Sequence, residues 1–232
     1  MKKHKNIAVL GIITAILSFV FSAPLVLAAI AGADVTVGAS ERYTPSVTQT
    51  VEGKAGNVTE VNVSTVQVTD KWVGFWGHVS GSIVLADANG NYFYKWTISD
   101  PTGGVVYVTN DTVSDWGTLA PVYADSGVLP AFLLQGTDSF NYTFTEQEDF
   151  ISPSKTVNNV NYTTTWQGGT QGTAFKTYAM QADNGEVLVW AGNVVAEQTS
   201  FKGDTVTADY QILAGVNTQG GQQTFYFYLE LP

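Results

Sequence analysis

The sequence contains no cysteine and almost no histidine. Without cysteine, a disulfide-stapled miniature domain, thiol catalysis and a cysteine zinc site are all excluded. Of the two histidines, His4 lies in the N-terminal region and leaves only His78 for the rest of the chain. Metal sites built from several histidines are therefore excluded as well. A hydrophobic core, or assembly with other chains, must provide the stability.

Basic residues are also scarce, with 10 lysines and arginines against 20 aspartates and glutamates. Three of the ten are Lys2, Lys3 and Lys5, so the chain beyond residue 33 keeps seven basic and all twenty acidic side chains, a net charge of −13. An acidic surface repels phosphate backbones and anionic lipid headgroups. We therefore expect neither nucleic acid nor a membrane surface as a partner.

Residues 1–33 have the parts of a secretory signal peptide. The basic residues precede an apolar stretch over residues 7–27, and small residues ending in Ala31-Gly32-Ala33 follow it. We predict a signal helix that is cleaved after Ala33. The alternative is a retained anchor, because the apolar stretch is long enough to span a bilayer; Pro24 and the small residues favour cleavage. Both interpretations place the rest of the chain outside the cell or at its surface.

Residues 34–55 form a polar stretch that we predict to be extended and loosely attached. Valines with the spacing of a strand alternate with Thr, Ser and Gln, while glycine and proline interrupt the pattern. Such a segment can add a strand to the sheet of another molecule. The valines of this candidate donor segment are Val35, Val37, Val47 and Val51.

The remainder, residues 56–232, consists of short β-rich runs separated by turn residues. Asn-Gly pairs at 89–90 and 184–185 are strong hairpin signals, because a type I′ turn needs positive φ at both central residues. About ten strands with almost no helix predict an all-β fold, an antiparallel β-sandwich of the jelly-roll or immunoglobulin-like type. The predicted hairpins pair residues 79–86 with 92–98 and residues 173–182 with 186–194.

Two segments allow more detailed predictions. Residues 57–69 alternate between apolar and polar side chains, but the phase slips, so we predict a strand with a bulge near Ser64-Thr65. Residues 223–231 alternate without interruption, with phenylalanine and leucine on one face and tyrosine and glutamate on the other. We expect this last strand to be central in its sheet, because so apolar an edge would aggregate.

The first hairpin turn is a candidate calcium site. Asp87, Asn89 and Asn91 place three oxygen-bearing side chains two residues apart, as calcium loops do. The turn lacks the distal bidentate glutamate of an EF-hand loop. The alternative is that the same residues serve only the hairpin turn. Apart from this calcium, the sequence predicts no cofactor.

Acidic residues and the histidine offer little for catalysis. Glu146, Glu148 and Asp149 follow a predicted strand, but glycosidase chemistry needs two carboxylates that face each other across a sugar. The residues after them favour a solvated loop. The sequence contains no G-x-S-x-G motif to place a serine near His78. We predict no enzymatic activity and no catalytic residue.

Aromatic side chains are plentiful in the first hairpin and the last strand. Rings exposed on a sheet could stack on the sugar rings of a polysaccharide. The alternative is that they pack across strands and stabilise the sheet. The candidates for sugar stacking are Trp72, Trp76, Tyr226 and Tyr228.

The chain also contains five N-x-[ST] acceptor sequences for N-glycosylation. In an exported protein a modified asparagine marks an exposed position. In a chain rich in Asn and Thr, some of these sequences are expected by chance. The candidate asparagines are Asn57, Asn62, Asn110, Asn141 and Asn161.

Residues Trp72 to Trp96 follow the pattern W-x-G-x-W-G-x-V-x-G-x-I-x-L-x-D-x-x-G-N-x-x-Y-x-W. This stretch resembles secreted cell-surface proteins of archaea and thermophilic bacteria. The resemblance implies an exported β-sandwich and supplies no catalytic residue. The order of parts (signal peptide, extended segment, β-sandwich) also resembles that of extracellular filament subunits that donate a strand to the next subunit.

Together these features predict a non-catalytic extracellular structural protein at the cell surface. Its most specific form is a pilus-like filament subunit, a homo-oligomer or homopolymer that assembles by β-strand donation. A donated strand is a head-to-tail contact, which propagates into a fibre when it does not close into a ring. The alternative function is an extracellular polysaccharide-binding β-sandwich module assisted by calcium.

Overall fold

The chain is built almost entirely from antiparallel strands in a computed structural model that describes residues 30–45 and 50–232. The predicted signal helix up to residue 29, and Val47 of the candidate donor segment, lie outside the described residues. The strands are β1 (Ala31–Gly32), β2 (Trp72–Gly77), β3 (Gly81–Ala86), β4 (Tyr92–Ile98), β5 (Val105–Thr109), β6 (Ala120–Pro121), β7 (Glu146–Ile151), β8 (Thr156–Gln167), β9 (Thr170–Ala182), β10 (Val187–Asn193), β11 (Gln198–Ser200), β12 (Gly203–Ala208), β13 (Tyr210–Gly215) and β14 (Tyr226–Glu230).

Helical structure in the described residues is limited to single turns. The α-helix α1 (Phe140–Thr143) has four residues, and three 3-10 turns cover Trp116–Thr118, Ala131–Leu134 and Asp183–Gly185. None of these helices has the length and apolar composition needed to cross a membrane. The all-β prediction is therefore confirmed.

The main sheet has eight strands in the order β1-β14-β5-β10-β9-β8-β7, with β6 paired to β9. Every pairing in it is antiparallel. Strand β5 shows why the centre of the sheet is apolar throughout: Val106 and Val108 face one core cluster, whereas Val105 and Tyr107 face another. A strand buried on both faces needs an uninterrupted apolar run.

This sheet curls around the core cluster that contains Tyr107. Phe150 of β7 lies against Tyr107 of β5, with ring centroids 6.2 Å apart, although the two strands are four positions apart in the sheet. In a flat sheet four strand spacings would separate them by roughly 19 Å. Phe150 also contacts Tyr178 of β9 at 5.1 Å. Strands β7 and β8 therefore fold back over the face formed by β5, β10 and β9.

The opposite face is covered by a two-stranded sheet of β2 and β13. Trp72 of β2 packs edge-on against the fully buried Trp190 of β10, with ring centroids 5.7 Å apart. Ile212 of β13 is buried in the same cluster. Leu133 and Phe140, from the turns between β6 and β7, complete this cover.

Both predicted hairpins are present. Strands β3 and β4 pair around the turn at Gly90, which has φ +81°. Strands β9 and β10 pair around Asn184 and Gly185, which both have positive φ. The hairpins differ in environment, because β9 and β10 lie inside the main sheet whereas β3 and β4 form a separate two-stranded sheet.

Three detailed predictions were wrong. Residues 57–69 form no strand, so the bulge expected near Ser64-Thr65 has no ladder to interrupt. Residues 146–149 belong to strand β7 and not to a solvated loop. Strand β14 is not central, because beyond it the main sheet has only the two-residue β1. Its two-faced alternation was correct, since Phe227 and Tyr228 pack into opposite core clusters.

Candidate functional site

The candidate donor segment lies outside every sheet. Residues 34–45 and 50–69 have no regular secondary structure. The valines in its described part are exposed, with Val35 at 51%, Val37 at 83% and Val51 at 65% of full accessibility. Their side chains are therefore not part of the core of their own chain.

The segment joins the body at a well-anchored point just before β2. The hydroxyl of Thr69 and the ammonium of the buried Lys71 both donate hydrogen bonds to the carboxylate of Asp138. Lys71 also donates to the carbonyl of Gln135 at 2.6 Å, and the indole of Trp72 donates to the carbonyl of Asp138 at 2.6 Å. The chain is thus anchored to the body from residue 69 onward, and the described residues of 34–67 before it are exposed, with Val68 half-buried.

The residues directly before this segment in sequence pair with the outer edge of β14. Ala31 pairs with Leu229 and Gly32 with Tyr228. The next residue, Ala33, donates its backbone N–H to the carbonyl of Phe227 at 3.0 Å. The chain then leaves the sheet, so the residues that precede the exposed segment form the last strand of the main sheet.

The candidate calcium turn is held together by its own hydrogen bonds. The backbone N–H groups of Asn89 and Asn91 donate to Oδ1 of Asp87 at 2.9 and 2.8 Å, and the side-chain amide of Asn91 donates to Oδ2 at 2.7 Å. These bonds, first the side-chain bond from Asn91, lower the pKa of the Asp87 carboxyl. Both carboxylate oxygens therefore already have hydrogen-bond donors inside the turn.

The four aromatic residues proposed for sugar stacking are partly buried and pack against neighbours. Trp72 packs on Trp190, and Trp76 lies edge-on to Phe201 at 5.4 Å. Tyr228 lies edge-on to Trp116 at 5.0 Å, and its hydroxyl accepts a hydrogen bond from the N–H of Val113. Tyr226 is half-buried in β14. Trp72 and Tyr228 thus support the core.

The most exposed aromatic surface lies on the β3–β4 hairpin, which sequence reasoning did not select. Ile83 pairs with Trp96 and Leu85 with Tyr94, so these four side chains share one face. Each is about half exposed, and the rings of Tyr94 and Trp96 lie 4.7 Å apart at 49°. We name these four residues the hairpin face. The cross-strand pairing expected for a hairpin could have grouped these four residues, but the sequence does not show that they are exposed.

A histidine and two carboxylates come together at the end of β2. The Nδ1 atom of His78 lies 3.6 Å from Oδ1 of Asp209, and Glu197 lies close enough for all three to offer ligand atoms within 4.8 Å. Asp209 is buried, and its carboxylate accepts hydrogen bonds from the backbone N–H groups of Val79 and Glu197 at 2.8 and 2.9 Å. The Asp209 side chain therefore holds together the loop that follows β2 and the loop that follows β10.

A second polar cluster lies on the main sheet. Lys176 of β9 donates to both carboxylate oxygens of Glu148 at 2.7 and 2.8 Å, and the hydroxyl of Tyr178 donates to the same carboxylate. Burial raises the pKa of Glu148, but the hydrogen bonds from Lys176 and Tyr178 outweigh it and lower the pKa overall. Burial and the Glu148 contact raise the pKa of Tyr178. The carboxylate is matched by a cation, unlike the carboxylate pair of a glycosidase.

The five glycosylation candidates differ in access. Asn57, Asn62 and Asn141 are exposed. Asn110 is half-buried, and its side-chain oxygen accepts a hydrogen bond from the N–H of Leu188 at 2.8 Å. The amide of Asn161 donates to the carbonyl of Val122 at 3.3 Å. The first three asparagines are thus more accessible to modification.

Comparison of the chain with models of protein families, with curated proteins and with solved structures gave no match.

Proposed function

We propose that this protein is an exported, non-catalytic structural subunit that assembles with copies of itself by β-strand donation. The observation that carries the proposal is the contrast between two parts of one chain. Residues 34–45 and 50–69 expose valines outside every sheet, while the edge strand β14 is covered by only two residues. An extended donor outside the sheets and a sheet edge with a short cover are the two parts that strand addition requires.

The chemistry of the segment suits this role. Val35 and Val37 lie on the same face of an extended chain, because side chains alternate along a strand. Backbone N–H and C=O groups of the donor would pair with the edge, and the valines would enter apolar pockets.

The segment is also long enough to reach a neighbouring subunit. Residues 34–71, before β2 begins, could extend over roughly 120 Å at about 3.3 Å per residue. A folded body of residues 72–232 has an expected radius of gyration of about 15 Å. The donated strand can therefore cross from one body to the next with length to spare.

Several other features support an exported structural subunit. The small β2–β13 sheet over the main sheet supports the predicted sandwich architecture, with a core that needs no disulfide. The signal-peptide features support export to the cell surface or beyond. The similarity of residues 72–96 to secreted cell-surface proteins supports the same location. Sugars on Asn57, Asn62 or Asn141 would lie on exposed positions.

The proposal is tested by removing the valines and keeping the segment. A chain from Asp34 to Pro232 with Val35, Val37, Val47 and Val51 all changed to Asp should stay in the supernatant after ultracentrifugation, whereas the parent should sediment. The matched control changes four exposed valines beyond the donor segment, Val58, Val61, Val63 and Val66, to Asp and should still sediment. Equal sedimentation of the parent and the first variant would contradict strand donation by these valines.

The alternative function, polysaccharide binding, is favoured by one observation, the exposed hairpin face. Tyr94 and Trp96 present about half of their surface to solvent, and aromatic rings of this kind stack on sugars. Affinity electrophoresis in gels that contain extracellular polysaccharides would test it. Retardation of the parent that is lost in Tyr94→Ser/Trp96→Ser, but kept in Phe93→Ser, would favour the binding module over the structural subunit.

A further inference from the structure

The outer edge of β14 is paired only with a short stretch of its own chain, β1 and Ala33. β14 has five residues and β1 has two. Alternate residues of a strand direct their backbone groups to the same side, so Phe227 and Leu229, which face Ala33 and Ala31, present theirs to the outer edge. Among residues 30–45 and 50–232, the main sheet ends at β1.

The residues on this edge are the ones that the predicted cleavage would remove. Cleavage after Ala33 separates β1, and the hydrogen bond from Ala33 to Phe227, from the rest of the chain. Ile30, which packs against the core cluster around Tyr107, would leave with them. The same four residues therefore belong both to the signal peptide and to the folded sheet.

We infer that the outer edge of β14 is the surface that accepts the N-terminal strand of a second copy of this chain, and that residues 30–33 cover it until the signal peptide is removed. The inference rests on the proposed function and identifies its acceptor site. Hydrolysis of the peptide bond between Ala33 and Asp34, with water as the second reactant and a signal peptidase as the catalyst, uncovers the edge.

The occupant is argued from what already lies on the edge. A strand of this same chain pairs there in antiparallel orientation, and a second copy offers a strand of the same backbone chemistry. Replacing an intramolecular strand by the same kind of strand from a second copy is a form of strand exchange that can propagate into a chain of subunits. The new N-terminal strand has valines at Val35 and Val37, whereas β1 has only alanine and glycine.

The length of β14 favours a donor strand that is longer than β1. Phe225, Phe227 and Leu229 all belong to the core cluster that contains Trp190 and are only partly buried. β1 and Ala33 lie beside Leu229 and Phe227 and leave Phe225 without a neighbour from residues 31–33. A donor strand of five residues would pair along all of β14 and cover the rest of the row. Covering an apolar sheet edge also prevents nonspecific aggregation.

The first experiment compares two chains with defined N-termini, one from Ile30 to Pro232 and one from Asp34 to Pro232, at equal concentration by light scattering over time. We expect the chain from Asp34 to assemble at least tenfold faster. Circular dichroism of both chains before assembly confirms that each is folded.

The second experiment locks the cover in place. Ala31 and Leu229 are directly paired, at a separation of about 5.5 Å for a pair that shares hydrogen bonds, which a disulfide can bridge. The variant Ala31→Cys/Leu229→Cys in the chain from Ile30 introduces the only two cysteines. When oxidised it should not assemble, and when reduced it should assemble as slowly as its parent. Leu229→Cys alone in the chain from Asp34 is the control and should assemble.

The outcomes separate this inference from the proposed function. If both chains assemble at the same rate, or the oxidised variant assembles, β14 is not the acceptor; the proposed function then survives if the valine variants still fail to sediment. If neither chain assembles, the proposed function and this inference both fail. Both are supported if the chain from Asp34 assembles fast, the chain from Ile30 assembles slowly, and the oxidised Ala31→Cys/Leu229→Cys variant does not assemble.

Discussion

The hydroxyl of Tyr107 donates a hydrogen bond to a carboxylate oxygen of Glu230 at 2.7 Å, and both side chains are fully buried. The other oxygen of Glu230 accepts the backbone N–H of Ser154 at 2.7 Å. Tyr107 belongs to β5, Glu230 to β14, and Ser154 follows β7. One carboxylate therefore connects the two ends of the curled sheet.

Glu230→Ala should destabilise the protein by roughly 2–4 kcal/mol, because it leaves the buried hydroxyl of Tyr107 without an acceptor, at about 1–3 kcal/mol, and the half-buried N–H of Ser154, at about 1 kcal/mol. The measurement is urea denaturation followed by tryptophan fluorescence. Glu230→Gln keeps the shape and one acceptor oxygen, so it should lose about half as much. Equal stability of all three proteins would show that this carboxylate does not hold the sheet ends together.

The Lys71–Asp138 pair should make stability depend on pH. The hydrogen bond from Lys71 lowers the pKa of the Asp138 carboxyl below its usual value of 3.8, against the opposing effect of burial. A carboxyl group whose pKa is lowered by folding stabilises the protein above its unfolded pKa and loses this contribution as the pH falls through the folded pKa. The contribution is therefore present at neutral pH and is lost in acid, below the unfolded value.

Asp138→Asn should lower the Tm at pH 7 by a few degrees, since a partly exposed ion pair contributes up to about 1 kcal/mol. Thermal unfolding at pH 7, 5, 4 and 2.5 tests this, and the difference between the two proteins should shrink only below pH 4. Asp149→Asn, whose carboxylate accepts one backbone N–H from Asn159 and contacts no lysine, is the control. A difference that stays constant down to pH 2.5 would argue against the pair.

The Asp87 turn should order the first hairpin without calcium. Asp87→Ala removes the acceptor for three hydrogen bonds. Amide hydrogen exchange in Tyr92–Ile98 should become about tenfold faster. The global Tm should change by less than about 2 °C, because the hairpin is a separate sheet. Millimolar calcium should leave exchange in the parent unchanged. Protection that rises with calcium in the parent, but not in Asp87→Ala, would establish a calcium site instead.

Trp72 should act as a core residue. Deletion of a fully buried large ring costs about 3–5 kcal/mol, so Trp72→Ala, which removes a partly buried ring packed on Trp190, should destabilise by up to that amount. Trp72→Phe keeps a ring against Trp190 and loses the hydrogen bond to Asp138, which should cost about 1 kcal/mol plus some packing. Chemical denaturation measures both. A Trp72→Ala variant as stable as the parent would return Trp72 to the candidates for surface binding.

Sequence reasoning worked where local chemistry determines local structure. The Asn-Gly pairs predicted both hairpins, and Asn184 and Gly185 both have positive φ; at the first turn Gly90 has positive φ but Asn89 does not, so the type I′ geometry was wrong there. The two-residue period of residues 225–230 placed Phe227 and Tyr228 on opposite faces correctly. These features require no knowledge of which strands are neighbours.

It failed where a property depends on long-range neighbours. The valines of residues 57–69 have the composition of a strand, but nothing in the sequence indicates that no partner strand lies beside them. The aromatic residues of β4 and β14 have similar patterns, yet Trp96 is half exposed and Tyr228 packs on Trp116. The cluster of His78 with Asp209 joins residues 131 positions apart, and no sequence motif predicts it.

The most direct test of the account is electron microscopy of the chain from Asp34 to Pro232 beside a variant that lacks residues 34–51. A second variant that lacks residues 52–68, a deletion one residue shorter that keeps the anchoring Thr69, controls for shortening. Strand donation predicts filaments from the parent and from the second variant and isolated particles from the first. Isolated particles from all three, with equal thermal stability, would contradict it.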